Sequence, residues 1–366
     1  MDSRSSPGRP LRLLFFGNAE SIHVQRWAGW FAARGHDVHV ADLWTARPGD
    51  GSYPYPVHRL GRGSTAFLRL RRLAHELDAE VVHVHYLTHR GWLAFASGVR
   101  PYAVTLWGSD LLLDLDVSPV RVVWARLVLR SAALVTADAP ELLDRATTLG
   151  ARPDRCVEIQ FGVDTARFAP GAPDPSLVAE FSLGGRRVIF APRMLAERYR
   201  TAILVEALAS LPDDVVLVCT LAGAASGYVD HLRTLAGDLR VADRVRLIPP
   251  IPHGRMADVY RASDVVASVP ISDATPVSIL EALASGLPVV ATDLPSVRPW
   301  LEPLDPSWLV PVDDVAATAA AIRAVLDRPS SDRAALSARG RAIVMERADH
   351  GQNMGRVEEL YRALVR

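Results

Sequence analysis

The stretch "SDATPVSILEALASGLPVVATD", residues 272–293, sets a loop, a helix start, a turn and a strand in one short segment. Thr275 is placed to cap the helix, and Pro276 at the first helical position gives up an N–H that has no partner there. Ile279, Leu280 and Leu283 form an apolar stripe, and Gly286 closes the helix where a left-handed residue is needed. Pro288 blocks continuation, and "PVVAT" reads as a buried parallel strand. The positive end of this helix therefore points out of the sheet, with the amides of Val277 and Ser278 beside Asp273. Such an end attracts phosphate. Two carboxylates, Asp273 and Glu281, flank that mouth at a spacing of 8 positions.

The 366 residues exceed what one hydrophobic core serves, so two domains of roughly 150–180 residues are expected. The 41 basic residues balance 41 acidic ones, and every basic one is arginine, since the chain has no lysine. A neutral chain carries no electrostatic footprint for nucleic acid, which excludes that partner. Cys156 and Cys219 sit in apolar runs and read as buried thiols rather than a disulfide scaffold. The opening "MDSRSSPGRP" reads as a disordered polar leader, and "LRLLFFG" is shorter than a signal-peptide core. No stretch approaches the roughly 20 apolar residues of a membrane span, so a soluble cytoplasmic chain is expected.

Apolar runs alternate with amphipathic segments almost throughout, the signature of βαβ units and parallel sheets. In the first half the runs are "LRLLFF", "DVHVAD", "EVVHVHY", "YAVTLWG", "ALVTAD" and "CVEIQF". In the second they are "RVIFAP", "VVLVCT", "RVRLIPP", "DVVASVP", "PVVAT" and "WLVPV". Two facing Rossmann-like α/β domains are expected, over residues 11–169 and 186–347, after a leader at 1–10 and around a Pro- and Gly-rich linker at 170–185. A helix over 348–366 ends the chain. Open parallel sheets bind ligands at the carboxyl ends of their strands, so a cleft between facing ends is the default site.

Gly17 lies in the first β–α turn, where it either lets a ligand approach the backbone or simply makes a tight turn. One glycine does not make G-x-G-x-x-G, and no Walker loop occurs, so no NAD or ATP cofactor is expected. His83 and His85 share a face of one strand; His83 reads as core, and His85, nearer the strand end, as an active-site candidate. The histidines do not pair with cysteines or acids at metal spacing, so no metal site is expected. The "DLD" at Asp114–Asp116 reads better as a helix start than as a metal ligand pair. Arg193 follows the strand "RVIFA", and Arg198 comes 5 residues later, before a helix. Two arginine forks beside a helix mouth make a phosphate site. Arg121, Arg126 and Arg130 in "VRVVWARLVLR" read as a solvated helix face, with membrane-surface contact as the minority alternative.

These segments resemble a known family. "SDATPVSILEALASGLPVVATD" resembles the E-x7-E segment of family 4 retaining glycosyltransferases of the GT-B fold. "FGVDTARFAP" is similar to their N-G-V-D-x-x-x-F-x-P hinge, and "APRMLAERY" to their G-R-L-x-x-x-K segment. "RGHDVHV" and "DHGQNMGRVEELYRALV" fit as well, so the resemblance spans nearly the whole chain. It implies a nucleotide-diphosphate sugar donor, most often a UDP-sugar, held by the second domain. It further implies a hydroxyl acceptor held by the first, retention of configuration, metal independence, and a final helix that crosses back to the first domain.

Carried over residue by residue, Glu281 accepts the ribose hydroxyls and Arg193 holds the diphosphate. Arg198 fills the slot usually held by lysine, which keeps the charge and changes the geometry. Asp273 stands where the family usually has glutamate and contacts the donor sugar. Trp107 occupies a position where many members carry histidine, which shifts the catalytic expectation to His85. Asp110 in the same turn either binds acceptor hydroxyls or caps. A sugar-nucleotide epimerase or hydrolase, or a catalytically silent binding partner, stays open as an alternative. Nucleotide release only on acceptor addition separates the transferase from these.

Overall fold

A continuous apolar run becomes a parallel strand when helices cover both faces of its sheet, and each run quoted above does so. In the computed structural model, residues 9–44, 53–63, 65–112, 114–115, 118–273 and 276–366 are described. They divide into two units, Met1–Phe161 with Gln352–Arg366, and Gly162–Gly351.

The first unit contains β1 (Arg12–Phe16), β2 (Asp37–Asp42), β3 (Val57–Arg59), β4 (Val81–His85), β5 (Tyr102–Thr105), β6 (Leu134–Ala137) and β7 (Cys156–Glu158). They form one parallel sheet in the order β3-β2-β1-β4-β5-β6-β7. β3, only three residues long, is too short for its pattern to be read in the sequence. Side chains alternate across the sheet: Leu14 and Phe16 enter one core layer, Leu13 and Phe15 the other. In register, Phe16 pairs with both Ala41 and Val84, and His85 with Thr105, so β1, β2, β4 and β5 end together. The helix His350–Leu364 carries Tyr361 into this unit, where its hydroxyl bonds His83 Nδ1 and its ring stacks on Phe31.

The second unit contains β8 (Arg187–Ala191), β9 (Val215–Thr220), β10 (Val245–Ile248), β11 (Val265–Ser268), β12 (Val289–Thr292) and β13 (Leu309–Val310). Their parallel order is β10-β9-β8-β11-β12-β13. In each unit the strand order reverses once, between β1 and β4 and between β8 and β11. Doubly wound sheets bind ligands beyond the carboxyl ends of the strands at such a reversal.

Among the described residues no helix is long and apolar enough to cross a membrane. The helix Pro119–Ser131 nevertheless exposes Val120, Val123 and Leu127, at helical spacing along one face.

Candidate functional site

In the second unit the chain leaves β8 into Arg193 and leaves β11 into Asp273, so the two residues flank the reversal point. Arg193 Nη2 donates to Asp273 Oδ1 across 3.1 Å. Ser296 Oγ donates to the carbonyl of Asp273 at 2.9 Å and pins the loop. The guanidinium carbons of Arg193 and Arg198 stand over the Tyr199 ring at 4.5 and 4.6 Å, and Arg198 Nη2 donates to the Tyr199 hydroxyl at 2.6 Å.

The helix that follows runs Val277–Ala284, one residue later than the sequence suggests. Pro276 is its N-cap rather than its first helical residue, with φ −81° and ψ 67°. Its carbonyl already accepts from the amides of Ile279 and Leu280, at 2.8 and 3.1 Å. The proline ring restrains φ alone, so ψ is left to the loop and the helix starts at the next residue. Thr275 lies outside the described residues. Val277 and Ser278 supply first-turn amides that the helix itself does not use. Gly286, at φ 78°, closes the helix as its pattern suggests.

Glu281 is fixed by a residue that sequence reading missed. The buried Tyr260 hydroxyl lies 3.0 Å from Glu281 Oε2 and 3.1 Å from the Ser278 carbonyl. Burial, and then the Glu281 carboxylate, hold the Tyr260 hydroxyl well above its ordinary pKa, while Arg193 pulls the other way. The tyrosine therefore stays protonated, a donor aimed at the carboxylate. Only its place in "ADVYRAS", ahead of β11, could have pointed to it.

In the first unit, a cavity of about 300 Å³ opens at the ends of β1, β4 and β5, lined by Asn18, Ser21, His85, Tyr86, Trp107 and Ser109 among others. His85 is 3% exposed, stacked on His83 at 4.6 Å and edge-on to Trp27 at 5.3 Å. Neither ring nitrogen has a hydrogen-bond partner among the described residues. Burial, then the neighbouring His83, His23 and Arg90, hold its pKa well below the ordinary value. The expected catalytic histidine is thus a neutral imidazole in the cavity wall, unsuited to carrying charge. His83, by contrast, is saturated: Nε2 lies 2.7 Å from Thr105 Oγ1, and Nδ1 meets Tyr361.

Asp110 and Gly17 both have structural roles. Asp110 is 0% exposed, and its carboxylate accepts from the amides of Leu87 (2.7 Å) and Trp107 (3.0 Å). It ties the loops after β4 and β5 together. Burial pushes its pKa up to about 6 against these amides. Gly17 serves packing: a Cβ there would stand 2.7 Å from a Val24 methyl and 3.4 Å from the His85 Cβ. Trp107 stacks on Phe161 at 4.4 Å and meets His23 at 4.5 Å, forming an aromatic wall.

A second cavity, about 510 Å³, shares Tyr86 and Arg90 with the first. It gathers Arg62, Arg90, Arg121 and His89 against Asp114. Arg62 stands 3.2 Å over the Trp44 ring, and Arg90 lies 3.5 Å from Asp42. Tyr86 holds φ 92°, a left-handed value that costs energy for a side chain of its size. Its hydroxyl donates to Asp114 at 3.0 Å, which aims the ring between the two cavities. These arginines lie on separate elements, so no local motif announces them. Asp116, the other half of the "DLD" pair, lies outside the described residues.

The family profile described as "Glycosyl transferases group 1" matches residues 179–343, and "Glycosyl transferase 4-like" matches 12–138. A D-inositol 3-phosphate glycosyltransferase of Mycolicibacterium vanbaalenii is 31% identical over 325 residues, covering 76% of this chain and 70% of that one. The enzyme of the same name from Xylanimonas cellulosilytica is 33% identical over 252 residues, covering 63% of this chain, and the match spans 60% of that relative's length. Among solved structures, Anabaena HepE in complex with UDP superposes with a TM-score of 0.81 at 19% identity, covering 97% of this chain and 100% of that one. That likeness is one of fold, two Rossmann-like units.

Proposed function

This chain belongs to the glycosyl transferases group 1 family, and we propose that it transfers a hexose from a nucleoside diphosphate sugar, UDP-sugar first, to a hydroxyl of an anionic acceptor, with retention and without a metal. The observation that carries the donor half is that Arg193, paired with Asp273, and Arg198 share the Tyr199 ring at the strand reversal of the second unit, where Asp273 leads into the helix that starts at Val277. As the sugar–phosphate bond breaks, negative charge grows on the leaving diphosphate, and fixed cations and helix amides meet it without reorganising. Glu281, held by Tyr260, takes the ribose hydroxyls, and Asp273 takes the donor sugar.

The acceptor half belongs to the first unit. Its larger cavity places Arg62, Arg90 and Arg121 around one space with Asp114, a surplus of positive charge suited to a phosphate-bearing acceptor. Relatives named for an inositol phosphate support the same chemistry. The neutral His85 offers the acceptor hydroxyl a hydrogen bond, and the Trp107 wall covers the apolar face of a ring.

Nucleotide release measured with and without acceptor tests the reading. Transfer requires release only when acceptor is present. Release without acceptor indicates a hydrolase, and donor binding with no release indicates a silent binder. A thermal-shift panel of nucleotide sugars names the donor, because ligand at about 100 times its Kd stabilises by about 2.7 kcal/mol. The anomeric configuration of the product, read by NMR, tests retention.

The exposed Val120, Val123 and Leu127, with exposed Arg126 and Arg130 on the same helix, favour contact with an anionic membrane surface as part of this reading. Sedimentation with vesicles containing anionic lipid tests it. A Val123→Asp protein that sediments like the wild type rejects it.

A further inference from the structure

We propose that Tyr199 is a positioning residue that holds Arg193 and Arg198 at one separation, so that both meet a diphosphate rather than a single phosphate. The proposal rests on the donor reading above. Two guanidinium groups near one another repel, and each would otherwise swing toward solvent or a separate carboxylate. The Tyr199 ring stands under both, at 4.5 and 4.6 Å, and its hydroxyl accepts from Arg198. The negative face of an aromatic ring attracts each cation, so one ring holds both guanidiniums within reach of the same place.

The chain's own composition suits such a platform. With no lysine available, Arg198 supplies the second cation, and a planar fork delivers its charge only when its plane is oriented. Arg198 is exposed and, among the described residues, its guanidinium forms no ion pair and is held by this stacking and hydrogen bond, whereas Arg193 is already turned toward Asp273. Tyr199 therefore links an anchored arginine to an exposed one. Losing the ring leaves Arg193 in place and releases Arg198, which costs one phosphate contact of two.

The readout is discrimination between nucleotides. The nucleoside diphosphate that most stabilises the full-length wild type (UDP, GDP or ADP) is titrated calorimetrically alongside its monophosphate, against wild type, Tyr199→Leu and Tyr199→Phe. The Leu variant is expected to bind the diphosphate about tenfold more weakly while monophosphate affinity stays within twofold. The Phe variant, which keeps the ring, is expected to retain diphosphate affinity within threefold. A Leu variant with wild-type diphosphate affinity overturns the proposal, as does equal loss of both nucleotides. A Phe variant that falls as far as Leu also overturns it, because the ring then does not set the spacing. A wild type that binds no nucleotide rejects the donor reading itself, and the proposal with it. If the Leu variant does not fold, Tyr199→Met, which also lacks the ring, takes its place under the same criteria.

Discussion

Arg193 and Asp273 form an ion pair of 3.1 Å with only 18% and 12% of their side chains exposed. The cation proposed for the diphosphate and the acid proposed for the sugar therefore touch each other before any donor arrives. Their roles are coupled. Arg193→Ala is expected to lower kcat by about 10²–10³, the scale for one such stabiliser. Asp273→Asn should slow transfer while sparing the affinity for free nucleotide. The double variant should lose less than the sum of the singles, with coupling of roughly 0.5–3 kcal/mol. Four kcat values check this, and strict additivity rejects the coupling.

Glu281→Ala should weaken nucleotide and donor alike by at least tenfold, since charged hydrogen bonds contribute roughly 1.5–3 kcal/mol each. Tyr260→Phe removes only the donor that aims the carboxylate, so a smaller loss in the same direction is expected. Calorimetry on both folded variants decides; unchanged affinity in the Ala variant removes Glu281 from the ribose.

On the acceptor side, Arg62→Ala and Arg121→Ala should raise the acceptor KM and leave donor affinity alone. The effect should shrink as salt rises, because salt shortens the screening length of partly exposed charges, about 8 Å at physiological ionic strength. Equal acceptor KM in both variants would place the anionic group elsewhere.

Acid should destabilise the first unit. Burial holds His83 down to about 3 and His23 to about 4, and His85 well below the ordinary value. A histidine whose folded pKa is depressed lets the unfolded chain bind the proton first. Its contribution is whole above the unfolded value near 6.5 and is lost as pH falls below it. For a fully buried imidazole that loss reaches about 2 kcal/mol by pH 5. Asp110, raised to about 6, works against this, since its folded form takes a proton first below that pH. Tm should therefore fall between pH 7 and pH 5, and less steeply in His85→Leu. An unchanged slope in that variant would mean the imidazole is open to solvent.

Transfer should persist in EDTA, because the charge on the leaving diphosphate is assigned to arginines. Activity lost to the chelator and restored by magnesium or manganese would overturn that assignment.

Much of this molecule was legible in its sequence because element formation is local. Twelve apolar runs with their intervening amphipathic segments gave strands and helices, and the turn chemistry of Gly286 and Pro288 marked where one helix ends. Arg193, Arg198, Asp273 and Glu281 could be proposed from sequence because each lies at a strand end or helix mouth, positions that short-range pattern defines. The environments of Asp110 and His85 could not be read, for the opposite reason. Leu87 lies in another loop from Asp110 and Trp27 on another element from His85, and burial among these, Trp107 and His83 makes one a structural tie and the other a neutral wall. The start of the helix at Val277 was displaced by its loop. Strand order, and with it the reversal points, rests on which distant runs pack together. So do the Tyr260–Glu281 bond and the arginines around the larger cavity. Local periodicity decides what each segment becomes; only packing between residues far apart in the chain decides which side chains meet.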